Sequence, residues 1–301
     1  MTMPATPPLP PAHPQPQPGP AVPGPVVPGV VPGLSNYVSP IAVRPATFGD
    51  ALASEWTKIR SVRSTMWTLG TMVALLVGIG VLVAFGVNAA SDANGEETGG
   101  AVLSLGFFGV LLGSICVITL GVLTIASEFS TGMIRTTLTA CPSRSRVLMA
   151  KAVVFFLLVF VLTTVTATVV AMLQTAILGG GSSASGAEWI RATVGVGLYT
   201  ALLGLLSLAV GTIVRHSAGA ITIMIGVVLL PLVLALFMAV DQLNRLRELF
   251  FAYSVPSQIA ALYDSSITES GPSGWDPVAI MFLLAAAVLV VANLALNRRD
   301  V

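Results

Sequence analysis

Residues 152–178 read AVVFFLLVFVLTTVTATVVAMLQTAIL, a run of 27 residues without one charged side chain. An α-helix rises 1.5 Å per residue, so about 20 apolar residues cross the roughly 30 Å hydrocarbon core of a bilayer. Helix is the conformation that fits, because an open strand would leave backbone N–H and C=O groups unpaired in lipid. The stretch therefore predicts a membrane-spanning helix.

Five further stretches of at least 21 residues also lack formal charge. The whole chain is 55% hydrophobic and 9% charged, whereas about 25% of the residues of a soluble domain are charged. This composition excludes a water-soluble enzyme and predicts an all-α integral membrane protein. The six predicted membrane-spanning helices are residues 66–87, 101–126, 152–178, 192–214, 218–240 and 277–297.

The N-terminal block, residues 1–46, contains fifteen of the twenty prolines. Proline removes backbone donors and favours an extended backbone, so this block cannot pack a core. We interpret it as a disordered cytoplasmic tail, which is either a plain spacer or a docking site for a proline-reading domain. The remaining residues, 47–301, form the membrane domain.

Residues 47–63 have the pattern of an amphipathic helix, with apolar side chains at spacings of three and four. Thr47 and Asp50 resemble a capping box at its start, and basic residues gather near its end. Such a helix lies along a membrane surface with its tryptophan at headgroup depth. The alternative is a cytoplasmic extension of the next span. The residues of the predicted interfacial helix are Phe48, Leu52, Trp56, Ile59, Lys58, Arg60 and Arg63.

The distribution of charge predicts the orientation. With the N-terminus inside, eleven of the fourteen basic residues lie in inside segments and nine of the thirteen acidic residues lie outside. Basic residues concentrate in cytoplasmic loops. An even number of spans with both termini in the cytoplasm therefore fits the sequence, and an odd number does not.

Small and polar residues within the spans indicate helix packing. Gly109 and Gly113 in the second span, and Ser207 and Gly211 in the fourth, have the spacing that lets two helices approach closely. In the outside loop, residues 249–262 are apolar but too short to cross a bilayer, and Pro256 interrupts them. A stretch of this kind is typically interfacial or re-entrant.

Several kinds of chemistry are missing from the sequence. No G-x-x-x-x-G-K-[ST] motif is present, so we expect no nucleotide or other cofactor to be bound by this chain. Two cysteines without a C-x-x-C pair do not provide a thiolate zinc site or a disulfide framework. The net charge of +1 gives no basic field for nucleic acid. The predicted spans also contain no Asp, Glu, His or Lys, which argues against an ion-coupled carrier.

Residues 127–151 form an inside loop long enough to have structure of its own. Met133, Ile134, Thr137 and Leu138 fit one face of a short helix, which Pro142 ends. Glu128 and Arg135 are seven residues apart, or two helical turns, so both can face the same way from the inner membrane edge. They are either interfacial anchors or parts of an elbow that receives force from another protein.

Two stretches resemble a known family. ALASEWTKIRSVRST, residues 51–65, resembles the entry into the first span of actinobacterial ABC transporter permeases of the type-2 exporter (ABC-2) class. SEFSTGMIRTTL, residues 127–138, resembles the segment after the second span of the same class. The six-span plan and the long last outside loop agree with this resemblance, which covers residues 48–301.

The resemblance implies a permease subunit of the bacterial cell membrane that forms the substrate path. A separate ATP-binding subunit would use the ATP, and a second permease protomer, identical or different, would complete the path. Residues 48–63 would be the connecting helix, residues 128–141 the coupling helix, and residues 249–262 the roof of the exit. The residues implied in coupling to the ATPase are Glu128, Met133, Ile134, Arg135 and Leu138.

Two other classes of function stay open on the sequence alone. A nucleotide-independent secondary carrier or channel would need an ion site made of uncharged groups, such as Gln174, Asn293 and backbone carbonyls. A non-transporting membrane scaffold or immunity protein would associate with no ATPase. The cargo cannot be read from the sequence.

Overall fold

The computed structural model describes residues 46–94, 102–141, 143–178, 184–238, 243–265 and 271–298. The described residues form helices joined by short turns, without a β-strand. Six of the helical segments are long and apolar enough to cross a membrane. The chain is thus an all-α, multi-pass membrane protein, as predicted. The predicted proline-rich tail lies outside the described residues, apart from Ala46.

Eleven α-helices follow one another in the described part of the chain. A 3-10 turn, Val102–Gly106, precedes α3, and a π-helical turn, Arg191–Gly195, joins α6 to α7. The helices are α1 Phe48–Ser61, α2 Arg63–Asn94, α3 Phe107–Ser130, α4 Met133–Ala140, α5 Arg144–Ile177, α6 Gly186–Ile190, α7 Val196–Val214, α8 Ser217–Phe237, α9 Asn244–Tyr253, α10 Val255–Leu262 and α11 Asp276–Arg298.

The helices extend beyond several of the predicted ends. The membrane-spanning segments are Arg63–Ser91, Val102–Ser130, Arg144–Ile177, Gly186–Val214, Ser217–Phe237 and Asp276–Arg298. Each predicted span was kept within a stretch free of charged residues, but a helix continues until its backbone is capped. The longer segments include Glu128, Lys151, Glu188 and Asp276, so the expectation of spans without acidic or lysine side chains is wrong at the ends of four segments.

The fourth membrane-spanning helix, α7, lies at the centre of the bundle. Of the 18 residues in its apolar stretch, 78% are buried. The corresponding fraction is 22% for α2, 22% for α8 and 17% for α11. Glycines let its neighbours come close: a Cβ at Gly121 of α3 would lie 2.5 Å from the carbonyl oxygen of Gly204 in α7. A Cβ at Gly211 would lie 3.2 Å from the carbonyl oxygen of Val122. Gly109 makes the corresponding approach to Leu76 of α2.

The bundle has two distinct ends. At one end, here called the α4 end, the Arg144 side chain donates to the Leu296 carbonyl, and the Arg215 guanidinium lies 5.0 Å from the Phe129 ring centroid. At the other, here called the α10 end, the Arg191 side chain lies 3.4 Å from Asp264. Successive spans therefore alternate in direction between these two ends.

The apolar stretch 249–262 forms the second half of α9 and all of α10. The break between the two helices lies at Ser254, whose hydroxyl accepts from the Ser257 N–H, and Pro256 lies in the first turn of α10. Proline suits that position because its missing N–H has no intrahelical acceptor there. The prediction that Pro256 itself breaks the stretch is thus off by two residues. Every residue of α10 is buried, which makes it the packed cap of the α10 end.

Candidate functional site: a buried ionic ring

The first element of the site is α1, which starts at the predicted capping box. The Asp50 N–H donates to the Thr47 hydroxyl oxygen at 3.3 Å, and the Thr47 N–H donates to the Asp50 carboxylate at 2.9 Å. The buried face of α1 consists of Ala51, Glu55 and Ile59, which follow one another at intervals of four. This face packs against α5 and carries a carboxylate at its centre.

The apolar residues of the predicted interfacial helix differ in their burial. Ile59 is buried, but Phe48 is 42% exposed and Trp56 is 45% exposed. Leu52 is half-buried, and the placement of Phe48, Leu52 and Trp56 on a membrane surface stays a prediction. Arg60 is exposed, and Arg63 belongs to the start of α2.

The second element is the elbow between α3 and α4. Gly132 has a φ of 72° in the left-handed region, where glycine lacks the steric cost of a Cβ. It ends the path of α3 after Ser130 and redirects the chain into α4. Glu128 and Arg135 consequently lie on two different helices, and the expectation that they share one helical face is wrong.

Four charged side chains from three helices meet at the α4 end: Glu55 and Lys58 of α1, Glu128 of α3, and Lys151 of α5. We call this set the ionic ring. The Lys58 Nζ lies 2.7 Å from Glu55 Oε1 and 2.9 Å from Glu128 Oε1. The Lys151 Nζ lies 2.5 Å from Glu55 Oε2 and 2.9 Å from Glu128 Oε1. Each cation thus binds both anions, and the ring closes with no net charge.

The ring is buried to different depths on its two sides. The side chains of Glu55 and Lys151 are each 2% exposed and that of Glu128 is 7% exposed, whereas Lys58 is 26% exposed. Burial by itself lowers the pKa of Lys58, but the hydrogen bonds to Glu55 and Glu128 outweigh burial and hold its pKa above the ordinary value of 10.5. Lys58 therefore stays charged at neutral pH.

The ring also reaches α4. Lys58 donates to the Thr137 hydroxyl at 3.2 Å, and Ile134, one turn earlier, is 3% exposed. Elsewhere on α4, Met133 is 46% exposed, and Arg135 and Thr136 are exposed as well. Leu138 is half-buried. The short helix is thus anchored through Ile134 and Thr137, while Met133, Arg135 and Thr136 stay accessible.

Sequence reasoning found one half of this site and missed the other. Glu128 was predicted as a residue of the coupling segment and Lys58 as a residue of the interfacial helix. Neither Glu55 nor Lys151 was predicted as a site residue. Glu55 stands three residues before Lys58 on α1, and this helical spacing was the available signal. Lys151 is one of two lysines in the chain, but it stood at the edge of a predicted span and its partners are distant in sequence.

The ion pairs of the ring hold α1, α3 and α5 together. All four charged groups bind one another, and a buried pair that loses one partner leaves an uncompensated charge. Among the described residues, no three His, Cys, Asp or Glu side chains come together as metal ligands. Beside the ring, a groove of about 330 Å³ separates α1 from α4 and is lined by Asp50, Ser54, Met133 and Thr136, among others.

Comparison with known sequences places most of the chain in a family. No curated protein matches the chain. A family described as "Protein of unknown function (DUF2705)" matches residues 71–301. The matched range begins within α2, so it includes Glu128 and Lys151 and excludes α1 with Glu55 and Lys58. Since the match covers more than half of the sequence, the chain belongs to the DUF2705 family.

Proposed function

We propose that this chain is the membrane-spanning permease subunit of an ABC-2-type exporter, driven by a separate ATP-binding subunit. The observation that carries the proposal is the ionic ring, which ties α1, α3 and α5 together beneath a short helix whose outer face is open. A permease that lacks a nucleotide site needs such an element, because the motion of its ATPase must enter through a surface contact.

The exposed face of α4 is the proposed contact for the ATP-binding subunit. Met133 offers an apolar anchor and Arg135 a cation, and exposed threonines lie beside them. Apolar and arginine side chains of this kind are enriched at the centres of protein interfaces. In this proposal Arg135 binds the ATPase, while Glu128 holds the elbow in register through the ring.

The ring would carry the motion of α4 into the membrane. Lys58 donates to Thr137 of α4 and forms ion pairs with Glu55 of its own helix and Glu128 of α3. Glu128 in turn pairs with Lys151 of α5. A displacement of α4 would therefore be transmitted to α1, α3 and α5 through one hydrogen bond and these ion pairs. Ion pairs in a low-dielectric site resist stretching more strongly than exposed pairs do. We propose that α1, α3, α4 and α5 move as one unit during transport.

The orientation required by this function agrees with the positive-inside pattern. Arg60, Arg63, Arg135 and Arg146 are all exposed at or near the α4 end. We infer that the α4 end faces the cytoplasm of a bacterial cell, that both termini are cytoplasmic, and that α10 roofs the exit. A second permease protomer would supply the other wall of the path.

The direct test is co-purification of the tagged, full-length chain from its own membranes in mild detergent. We expect an ATP-binding subunit to travel with the wild type, and the charge reversal Arg135→Glu to release it while the chain still inserts into the membrane. Arg298→Glu is the matched control, because Arg298 is an exposed arginine at the same end but on α11.

Three results would contradict the proposal. Absence of an ATP-binding partner in the wild-type preparation would favour a scaffold. An unchanged complex in the Arg135→Glu variant would remove α4 as the contact. Transport by the chain alone in ATP-free vesicles would favour a secondary carrier.

A further inference from the structure

One surface of α5 combines a cation with a long apolar ridge. Arg146, Met149, Val153, Leu157 and Val161 follow at spacings of three, four, four and four, so they share one face of the helix. Arg146 is exposed, Met149 is 42% exposed, Leu157 is 51% exposed and Val161 is 55% exposed. The face thus begins with a guanidinium at the α4 end and continues into the membrane without another polar group.

An apolar groove runs along each side of this ridge. On one side, a groove of about 600 Å³ lies between α5 and α1, where Leu52 and Trp56 line it. On the other side, a groove of about 650 Å³ lies between α5, α7 and α11. Val153 and Leu157 line both grooves, so the ridge is the wall that separates them. Both volumes lie within the roughly 300–1,000 Å³ of ordinary ligand sites.

The positions of the charges along the axis fit a phospholipid. Arg146 stands about 10 Å from Val153, given 1.5 Å per residue. The headgroup layer of a bilayer is about 5–8 Å thick on each side of the hydrocarbon core. When Val153 and Leu157 lie in the hydrocarbon, Arg146 therefore lies at the depth of the lipid phosphate.

The local charge selects an anionic headgroup. One N–H of Arg146 donates to the Ala46 carbonyl at 2.7 Å, which leaves further guanidinium donors for a phosphate. Arg60 is also exposed, and it lies four residues after Trp56 on the groove face of α1. Within the described part of the chain, neither arginine forms an ion pair, and Glu55 and Glu128 are neutralised in the ionic ring.

We infer that this surface binds one anionic phospholipid of the surrounding bilayer, with its phosphate on Arg146 and one acyl chain in each groove beside the Val153–Leu157 ridge. Trp56 lies against one chain and Arg60 adds to the attraction for the headgroup. The site depends on the membrane-spanning fold and not on the proposed transport function. It can therefore be tested whether or not an ATPase partner exists.

Trp56 provides the readout. The full-length chain is reconstituted into phosphatidylcholine vesicles that contain a fixed fraction of a lipid brominated on its acyl chains. This lipid is either brominated phosphatidylglycerol or brominated phosphatidylcholine. Bromine quenches a tryptophan in contact with it, and subtracting the signal of the Trp56→Phe variant isolates Trp56. We expect brominated phosphatidylglycerol to bind about five-fold better than brominated phosphatidylcholine, the factor that one basic side chain near an anionic surface supplies.

The variants distinguish specific binding of an anionic lipid at Arg146 from ordinary contact with bulk lipid. Arg146→Gln should abolish the preference, Arg146→Lys should retain part of it, and Arg298→Gln, at an exposed arginine of the same end, should leave it unchanged. Equal quenching by both lipids in the wild type would overturn the inference, as would a preference that survives Arg146→Gln. Absence of quenching of Trp56 by either lipid would also overturn it, because the groove would then be covered by protein.

Discussion

Lys151 of α5 and Glu55 of α1 form an ion pair between positions 96 residues apart, and each side chain is 2% exposed. This pair fastens a helix outside the predicted spans to the bundle. Taking two charges out of water costs several kcal/mol per ion, and the cost is repaid only when each charge keeps its partners. The position of α1 is therefore set by electrostatic pairing as well as by apolar packing.

The first prediction concerns the loss of one partner from the ring. Replacing Lys151 by Met removes the buried cation from both anions, and Glu55 and Glu128 are then held by Lys58 alone. We expect a loss of about 3–5 kcal/mol in the free energy of unfolding, the range for breaking a buried pair. The measurement is the thermal unfolding midpoint of the detergent-solubilised chain, compared with that of the wild type.

The control for this prediction is the double variant Glu55→Gln with Lys151→Met, which removes one charge of each sign. Because no uncompensated charge remains on that side of the ring, the double variant should lose less stability than Lys151→Met alone. If the double variant instead lost the sum of the losses of Lys151→Met and Glu55→Gln measured separately, Lys151 and Glu55 would not be coupled.

The second prediction concerns alkaline pH. The pKa of Lys58 is held above 10.5 in the folded protein, so its pairing stabilises the fold fully below about pH 10.5 and is lost as the pH rises through the folded pKa. The difference in unfolding midpoint between the wild type and Lys58→Met should therefore stay constant from neutral pH to pH 9. Above pH 10.5 it should shrink, because the wild-type lysine also becomes neutral. A difference that remained constant to the highest pH would show that Lys58 stabilises the fold by packing alone.

The number and order of the membrane-spanning helices were predictable because each depends on a local property. A run of uncharged residues such as 152–178 has one stable conformation in lipid, whatever the rest of the chain does. The capping box at Thr47 is local in the same sense, since its partner is three residues away. Predictions of this kind need no knowledge of which helices become neighbours.

The ionic ring was not predictable in this way, because it depends on which helices meet. An ion pair between Glu55 and Lys151 can be expected only once α1 is known to cross α5. Nothing in the sequence near either residue specifies that crossing. The same limit explains the error at the elbow. Two turns of continuous helix between Glu128 and Arg135 was a sound local expectation, but Gly132 in the left-handed region divides the segment into two helices.

The third prediction tests the conformation of the elbow at Gly132. With φ at 72°, any residue with a Cβ is strained there, even though no neighbouring atom lies within 4 Å of the position a Cβ would take. We expect Gly132→Ala to cost about 1–2 kcal/mol of stability, and Gly132→Asn to cost less because asparagine tolerates this conformation better.

Gly226 in α8 is the matched control for the elbow variant. It also has open space around a Cβ, but it lies in ordinary helical backbone. Alanine is the better helix former, so Gly226→Ala should be neutral or stabilising by up to about 1 kcal/mol. Equal effects of alanine at the two positions on the unfolding midpoint would show that the left-handed turn carries no strain.

The fourth prediction tests the close packing of α3 against the central helix. A Cβ at Gly121 would lie 2.5 Å from the carbonyl oxygen of Gly204, and a backbone atom cannot move aside as the tip of a side chain can. Gly121→Ala should therefore separate α3 from α7 and cost about 1–3 kcal/mol through overpacking. Gly78→Ala in α2 is the control, because a Cβ there meets nothing within 4 Å. The unfolding midpoint should fall for Gly121→Ala and hold or rise for Gly78→Ala. An unchanged midpoint for Gly121→Ala would mean that the backbones of α3 and α7 are not in close contact at this position.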